Sequence, residues 1–177
     1  MRYVVVGTSG SGKSMFAAAL AARLGCPRFE LDEFFWGPDW TPKPPEMFKN
    51  LVSESASKEH WVTDGNYSAV RAELWSRATH ILWLNYSRPL VMARVVRRTV
   101  ARALSGRPIW HGNRETLSKA FLSRKSIILW AATTFGKNRR KYATLRTENA
   151  FPQLQWLEFT SPAEADAFLR THAATDG

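Results

Sequence analysis

The chain has 177 residues, with 25 Lys and Arg against 15 Asp and Glu and a formal net charge of +10. This length suffices for one domain with a buried core, and no run of about 18 apolar residues is present that could cross a membrane as a helix. Cys26 is the only cysteine, which excludes an internal disulfide and favours a cytoplasmic location.

The amino-terminal residues predict a strand, a glycine-rich loop and a helix in direct succession. Residues 2–6 are β-branched and aromatic, as in a buried strand, and residues 15–24 are strong helix formers that end at Gly25. Because the loop between them already belongs to this unit, we expect no cleaved signal peptide. The loop matches the pattern G-x-x-x-x-G-K-[ST] and consists of Gly7, Thr8, Ser9, Gly10, Ser11, Gly12, Lys13 and Ser14.

A loop of this kind binds phosphate for a physical reason. Its glycines let backbone N–H groups turn into a concave anion site, and the positive end of the following helix dipole reinforces that site. Lys13 is expected to reach the β- and γ-phosphates of a nucleotide, and the Ser14 hydroxyl to ligate Mg²⁺. A chance match in a turn is the alternative, but the flanking strand and helix argue against it.

The rest of the chain alternates short strands with helices, which predicts a parallel sheet with helices on both faces. The predicted strands are residues 3–6, 28–31, 60–63, 80–84 and 154–159. The helices predicted after the first are residues 44–58, 69–76, 87–104 and 117–145, with Gly136 as a possible interruption, and a last one that begins at Pro162.

Apolar residues at helical spacing indicate which faces are buried. The helix over residues 44–58 is predicted to bury Met47 and Leu51. The helix over residues 87–104 is predicted to bury Leu90, Ala93, Val96, Val100 and Leu104.

Two acidic residues follow predicted strands and could hold Mg²⁺. Asp32 follows the second strand and Asp64 the third. Since the carboxyl ends of parallel strands meet at one edge of a sheet, both are candidates for the metal shell near the loop, with Asp64 also a candidate acceptor-site residue. The alternative for either is an ordinary helix cap or turn aspartate.

Arginines form a second stripe on the helix over residues 87–104. Arg94, Arg98 and Arg102 recur every fourth residue, opposite the predicted apolar stripe, and like charges at that spacing repel each other. They therefore suit a phosphoryl group in transfer, unless they form an ordinary solvated face. Arg107, Arg114 and Arg124 lie in and after the next loop, where a mobile segment could bring them over bound nucleotide.

Residues 34–40 contain four aromatic side chains in a Gly- and Pro-containing loop. They could stack a flat acceptor, meaning the molecule that receives phosphate, or fold back as a hydrophobic plug. The four histidines show no metal-ligand spacing with one another or with Cys26, so no metal other than Mg²⁺ is predicted.

The basic excess lies in one segment. Residues 87–146 carry 15 Lys and Arg against a single acidic residue, Glu115, whereas the other residues are acidic on balance. The segment could surround a polyphosphate or form a nucleic-acid-binding face.

These motifs resemble the P-loop small-molecule kinases related to adenylate kinase, and most closely the group called adenylate-kinase-related or DNA topology modulation proteins. The resemblance spans nearly the whole chain. It rests on residues 7–14, on Leu31-Asp32 followed by Phe35-Trp36, on residues 61–67 with their Asp-Gly-Asn-Tyr motif, and on the Arg-rich helix that leads to Ser105-Gly106-Arg107.

The resemblance implies a three-layer P-loop NTPase fold of the α/β class. Its five-stranded parallel sheet would have the order 2-3-1-4-5, with helices on both faces and a short helical lid. Residues 1–177 would form a single domain, with an acceptor-binding region at about 33–60 and a lid at about 105–116. Asp64 would lie near the Mg²⁺ shell, whereas the Pro-Arg that follows this motif in adenylate kinases is absent here, which puts AMP as acceptor in doubt.

The resemblance also implies roles for the arginines. Arg94 and Arg98 would grip phosphates at the entry to the lid, and Arg107 and Arg114 would close over bound nucleotide. The turn at residues 160–162 is similar to the adenine-contacting loop of these kinases.

Together these features predict an ATP- and Mg²⁺-dependent phosphotransferase with Lys13, Arg94, Arg98 and Asp64 as catalytic residues. The predicted acceptor is a small molecule: a nucleotide, a nucleoside or another aromatic metabolite. Two alternatives stay open. One is a nucleotide-switched protein whose basic segment binds nucleic acid, which requires Lys137 and Arg139-Arg140-Lys141 to face outward. The other is a nucleotide-binding protein that does not transfer phosphate.

Overall fold

The computed structural model describes residues 1–105, 110–113 and 127–172. Five strands form one parallel sheet in the order β2-β3-β1-β4-β5, which confirms the predicted fold class and strand order. The strands are β1 (Arg2–Gly7), β2 (Arg28–Glu30), β3 (Trp61–Asp64), β4 (His80–Leu84) and β5 (Gln155–Phe159). Within the described residues the α-helices are α1 (Lys13–Leu24), α2 (Leu31–Phe35), α3 (Pro45–Ala56), α4 (Arg71–Arg77), α5 (Arg88–Ser105), α6 (Ile127–Thr147) and α7 (Pro162–Thr171).

The central strand β1 separates two apolar layers. Tyr3 and Val5 point to one face, where they pack with α1, α5, α7 and the first half of α6. Val4 and Val6 point to the other face, where they pack with α3, α4 and the second half of α6. This alternation is the period of a strand that is buried on both sides, and α6 contributes to both layers.

Two helices bury different faces from those predicted. Helix α3 buries Phe48, Val52 and Ala56, whereas Met47 is half exposed. Because Phe48 and Val52 carry as much apolar surface as Met47 and Leu51, the spacing alone could not separate the two faces.

The buried face of helix α5 also differs from the predicted one, for a different reason. It buries Val91, Val95 and Thr99, while Val96 is exposed and Leu104 is 73% exposed. The buried face packs in the apolar layer with Tyr3 and Val5 and also covers the phosphate loop. Because it includes a threonine, the apolar composition of the helix favoured the other face.

The segment after α5 is only partly described. A short 3₁₀ turn covers Trp110–Gly112, and α6 then runs without interruption through Gly136. Residues 117–126 of the predicted helix lie outside the described residues. No helix in the described part of the chain is both long and apolar enough to span a membrane.

A close approach between chain segments requires glycine at position 65. Gly65 has φ of +142°, and a Cβ at this position would lie 2.7 Å from Cβ of Leu31. We expect Gly65→Ala to lower the free energy of unfolding by about 3 kcal/mol, because backbone strain and overpacking add. Urea unfolding measures the loss, with Gly25→Ala as the control, since Gly25 has φ of +58° but open space around it. Equal losses in the two variants would refute the close-approach argument.

Candidate active site

The phosphate loop joins the carboxyl end of β1 to the amino end of α1. Gly10 and Gly12 take φ of +86° and +94°, a conformation that a chain with side chains at these positions rarely adopts. The Ser11 hydroxyl is buried inside the loop and has no hydrogen-bond partner among the described residues. The loop thus holds a buried polar group that a bound anion could satisfy.

Helix α5 lies directly over this loop. A Cβ on Gly10 would come within 2.2 Å of Cγ2 of Val95, so the helix and the loop are in close contact. Arg94 donates a hydrogen bond from Nη1 to the Ser11 carbonyl at 3.2 Å, and Arg98 lies 3.4 Å from the Ser9 hydroxyl. The two arginines therefore border the buried stripe and are not a solvated face.

Asp64 is the acidic residue closest to the loop. The Ser14 hydroxyl donates a hydrogen bond to its Oδ2 at 2.7 Å, and Arg28 donates to Oδ1 at 3.2 Å. The carboxylate ends β3 and its residue is 3% exposed. Burial raises the pKa of Asp64 above its usual value, against the opposing effects of Ser14, Lys13 and Arg28.

Sequence reasoning missed the two charged residues that flank Asp64. Arg28 pairs with Glu30 as well as with Asp64. Arg28 and Glu30 begin and end β2 two residues apart, so they share one face of the sheet, and β2 pairs with β3 so that Glu30 lies opposite Asp64. The sequence signal for this pair was the presence of charged residues at alternate positions of the short strand β2.

Lys13 folds back over the loop and donates to the Thr8 carbonyl at 3.2 Å. Burial lowers the pKa of Lys13, while the carboxylates of Asp64 and Asp32 oppose this and Arg98 adds a smaller lowering. Both predicted metal-shell aspartates therefore lie close enough to act on the loop lysine.

Each residue of the Asp-Gly-Asn-Tyr motif has a defined contact. Asn66 binds the backbone of Gly7 on both sides: its Nδ2 donates to the Gly7 carbonyl at 2.7 Å, and its Oδ1 accepts from the Gly7 N–H at 3.4 Å. Tyr142 of α6 donates to the same Oδ1 at 2.7 Å. Asn66 and Tyr142 thus connect α6 to the first residue of the phosphate loop, and no motif in the sequence indicated Tyr142.

We expect Tyr142→Phe to weaken nucleotide binding several-fold and to lower stability by about 1 kcal/mol, because one buried hydrogen bond to Asn66 is lost. Titration with a fluorescent ATP analogue and urea unfolding measure the two effects. Tyr3→Phe is the matched control, since Tyr3 is also 1% exposed but donates to Met1 Sδ at the opposite edge of the sheet. A nucleotide affinity equal to that of the control would contradict this role.

Asp32 does not directly follow a strand, contrary to the prediction. Strand β2 stops at Glu30, and Asp32 lies in the short helix α2, where its Oδ1 accepts a hydrogen bond from the Tyr67 hydroxyl at 2.6 Å. Burial and the neighbouring Asp32 charge raise the pKa of Tyr67, which keeps the phenol a donor.

The four aromatic residues that follow Asp32 have two kinds of environment. Phe34 stacks on Phe29, and Phe35 packs edge-to-face on Phe48, so both belong to the hydrophobic plug. Trp36 and Trp40 form an edge-to-face pair with ring centroids 5.8 Å apart and are half-buried. The pair is the part of the loop that an acceptor could contact.

The described part of the predicted lid contacts this aromatic loop. Asn113 is buried, accepts from the Trp40 N–H at 2.9 Å and donates to the Gly37 carbonyl at 2.9 Å. The bond to Trp40 supports a bulky residue at φ of +55°, a conformation that is unfavourable without such support. Arg107 and Arg114 lie outside the described residues.

The residues of the site fit a nucleoside triphosphate with Mg²⁺. The buried Ser11 hydroxyl and the cations Lys13, Arg94 and Arg98 suit phosphate oxygens. The Ser14 hydroxyl and the Asp64 carboxylate are oxygen ligands of the type that Mg²⁺ prefers. In proteins Mg²⁺ is usually held by one or two carboxylates together with substrate phosphates. Among the described residues there is no group of three or more His, Cys, Asp or Glu that could hold a metal alone.

Comparison with solved structures shows the fold of P-loop small-molecule kinases. Two shikimate kinases, from Bacteroides thetaiotaomicron and Aquifex aeolicus, are each 17% identical to this chain, with TM-scores of 0.55 and 0.53, and cover 97% of this chain and 95% of theirs. A gluconokinase from Sinorhizobium meliloti is 19% identical, with a TM-score of 0.52 and coverage of 97% and 93%. No family model and no curated protein sequence matches the chain.

Proposed function

We propose that this protein is a kinase that transfers the γ-phosphoryl group of ATP, with Mg²⁺, to a small-molecule acceptor. The observation that carries the proposal is the 2.7 Å hydrogen bond between the loop hydroxyl of Ser14 and the carboxylate of Asp64. It joins the nucleotide-binding loop to an acidic residue at the carboxyl end of a neighbouring strand, where Mg²⁺-dependent phosphoryl transfer requires one.

The bound nucleotide would supply the phosphoryl group, and Mg²⁺ would neutralise its charge. Lys13, Arg94 and Arg98 would stabilise the charge of the group in transfer, since their donors converge on the loop. Asp64 would hold Ser14 and Mg²⁺ in place. Asp32 lies nearer the aromatic loop and would contact either the Mg²⁺ shell or the acceptor.

The proposed acceptor region comprises residues 33–60, with Trp36 and Trp40 toward the bound molecule. Arg107 and Arg114 are proposed to close over the nucleotide from the lid at residues 105–116. Asn113 ties the described part of that lid to the acceptor loop, which supports joint closure. The adenylate-kinase-related group and a cytoplasmic location remain predictions from the sequence.

The experiment that tests the proposal is a screen with γ-labelled ATP and Mg²⁺. Nucleosides, nucleotides, hydroxy acids and sugars are offered as acceptors, and labelled product is separated from phosphate and ATP. Transfer to one acceptor class in the wild type, and its loss in Lys13→Ala, is the expected result. Nucleotide binding without transfer to any acceptor would favour a binding protein.

A second function is favoured by one observation. Of the four cations that this function requires to face outward, Lys141 is half-buried over the Tyr142 ring, whereas Lys137, Arg139 and Arg140 on α6 are exposed. If the protein binds nucleic acid, it should retain double- or single-stranded DNA at about 50 mM salt. Its affinity for DNA should then fall steeply as salt rises, because binding releases counterions. Replacement of all three by Gln should then abolish retention, and no retention by the wild type would exclude this function.

A further inference from the structure

The first residue of helix α4 is Arg71, a cation with a buried side-chain nitrogen. Nη2 of Arg71 is buried, and no group in the described part of the chain accepts a hydrogen bond from it. The guanidinium lies over the ring of Trp75, with Cζ 5.5 Å from the ring centroid. Arg71 also forms no ion pair with a described carboxylate. A guanidinium nitrogen withdrawn from water without an acceptor is costly, so an acceptor from outside the chain would be favourable here.

Helix α6 brings two further donors toward the same region. Nδ2 of Asn138 is buried and lacks a partner among the described residues, and Lys141 forms no ion pair with any of them. Asn138 lies three and four residues before Lys141 and Tyr142, so the three share one face of α6. The Lys141 ammonium lies 5.7 Å from the centre of the Tyr142 ring.

The charges on the two helices act on each other. Burial lowers the pKa of Lys141, and the neighbouring Arg71 lowers it further. Arg71 also lowers the pKa of Tyr142, which burial raises. Two cations that repel each other, with no described carboxylate paired to either, form an environment that favours an anion.

The donor cluster of Arg71, Asn138 and Lys141 includes two residues of α6, a helix that is linked to the phosphate loop. Phe135, one turn before Asn138, packs in the apolar layer that contains Val91 and Val95, the residues that cover Gly10. Tyr142, one turn after Asn138, reaches Gly7 through Asn66. Asn138 therefore lies between a residue of that apolar layer and a residue that is linked to the loop.

We propose that Arg71, Asn138 and Lys141 bind an anionic group, a carboxylate or a phosphate, on the acceptor. A planar guanidinium can hold two oxygens of such a group, while the amide and the ammonium donate to the rest. The inference rests on the proposed phosphotransferase function and names its substrate class: the acceptor is an anionic metabolite, and neutral nucleosides and sugars are poor acceptors.

The first test measures anion binding with the phosphate loop occupied. Wild-type protein is saturated with a non-hydrolysable ATP analogue and Mg²⁺, and inorganic phosphate and acetate are titrated in by calorimetry. We expect Lys141→Gln to weaken anion binding about 10-fold, the loss of one charge-assisted hydrogen bond. Arg170→Gln is the control, because it removes one positive charge from an exposed position on α7 and should leave affinity unchanged.

Asn138→Asp separates binding from a structural role. A carboxylate at this position would lie one helical turn from the Lys141 ammonium and would pair with it, so we expect a higher melting temperature together with lost anion binding. A residue that only supports packing would not change the two readouts in opposite directions. Unchanged anion affinity in both Lys141→Gln and Asn138→Asp would overturn the inference, and thermal unfolding shows that each variant is folded.

The acceptor screen then shows whether the anionic group is a carboxylate or a phosphate. It also separates the proposed anion site from the proposed phosphotransferase function. Hydroxy acids are compared with their amides, and phosphate monoesters with the parent alcohols. Transfer to the hydroxy acids but not to their amides supports the inference and identifies a carboxylate. Transfer to the phosphate monoesters but not to their parent alcohols supports it and identifies a phosphate. Transfer to neutral members only would overturn the inference but leave the proposed function intact, whereas failure of the wild type to bind the nucleotide analogue would refute the proposed function itself.

Discussion

Replacement of Lys13 by Ala is expected to reduce phosphoryl transfer by about 10²- to 10³-fold, the usual effect of removing one donor that stabilises charge in the transition state. The carboxylates of Asp64 and Asp32 both act on the pKa of Lys13, the cation of the loop, and its ammonium can exchange the Thr8 carbonyl for phosphate oxygens. The affinity for ATP should fall as well. Steady-state transfer and titration with a fluorescent ATP analogue measure the two effects separately.

Arg170→Ala is the control for this prediction. Arg170 is exposed in the last turn of α7, so the same loss of charge there should change neither quantity. If Lys13→Ala retained wild-type affinity for ATP and wild-type transfer, the loop would not be a nucleotide site.

Replacement of Asp64 by Asn is expected to lower the apparent affinity for Mg²⁺ by about 10- to 100-fold, as for other residues that orient a metal ligand. The substitution keeps the size of the side chain and removes the negative charge that accepts from Ser14 and Arg28. Transfer measured against Mg²⁺ concentration should shift to higher metal, and excess Mg²⁺ should restore part of the activity.

The control for Asp64→Asn removes a carboxylate from the surface. Glu148 is exposed just beyond the end of α6, so Glu148→Gln should leave the Mg²⁺ dependence unchanged. A reduced rate in Asp64→Asn at every Mg²⁺ concentration, with no shift in the Mg²⁺ dependence, would show that Asp64 does not act through the metal.

Local patterns predicted the framework of the molecule because they depend on near neighbours in the chain. The phosphate loop needs a strand, a glycine-rich turn and a helix in direct succession, and residues 2–24 contain all three. The alternation of strands and helices predicted a parallel sheet, and the family resemblance implied the order that the structure confirms. Asp64 was placed at the end of β3 for the same local reason.

Some faces and strand ends could not be predicted from the sequence. In α3 two apolar faces were available, and packing selected the one with Phe48 and Val52. In α5 the buried face was set by the close approach of Val95 to Gly10. Asp32 lies in α2 because β2 ends two residues earlier than it, a boundary that hydrophobic patterning does not define.

The sequence by itself determined that the protein has a phosphate-binding loop in an α/β fold, since that loop is a contiguous motif with its own flanking elements. Only the tertiary structure decided which distant residues complete the site. Arg28 of β2 reaches Asp64 of the neighbouring strand β3. Tyr142 reaches Asn66 from a helix 76 residues further along the chain. Such contacts depend on how β2, β3 and α6 pack against one another, and no spacing within the chain encodes the distance between side chains that folding alone brings together.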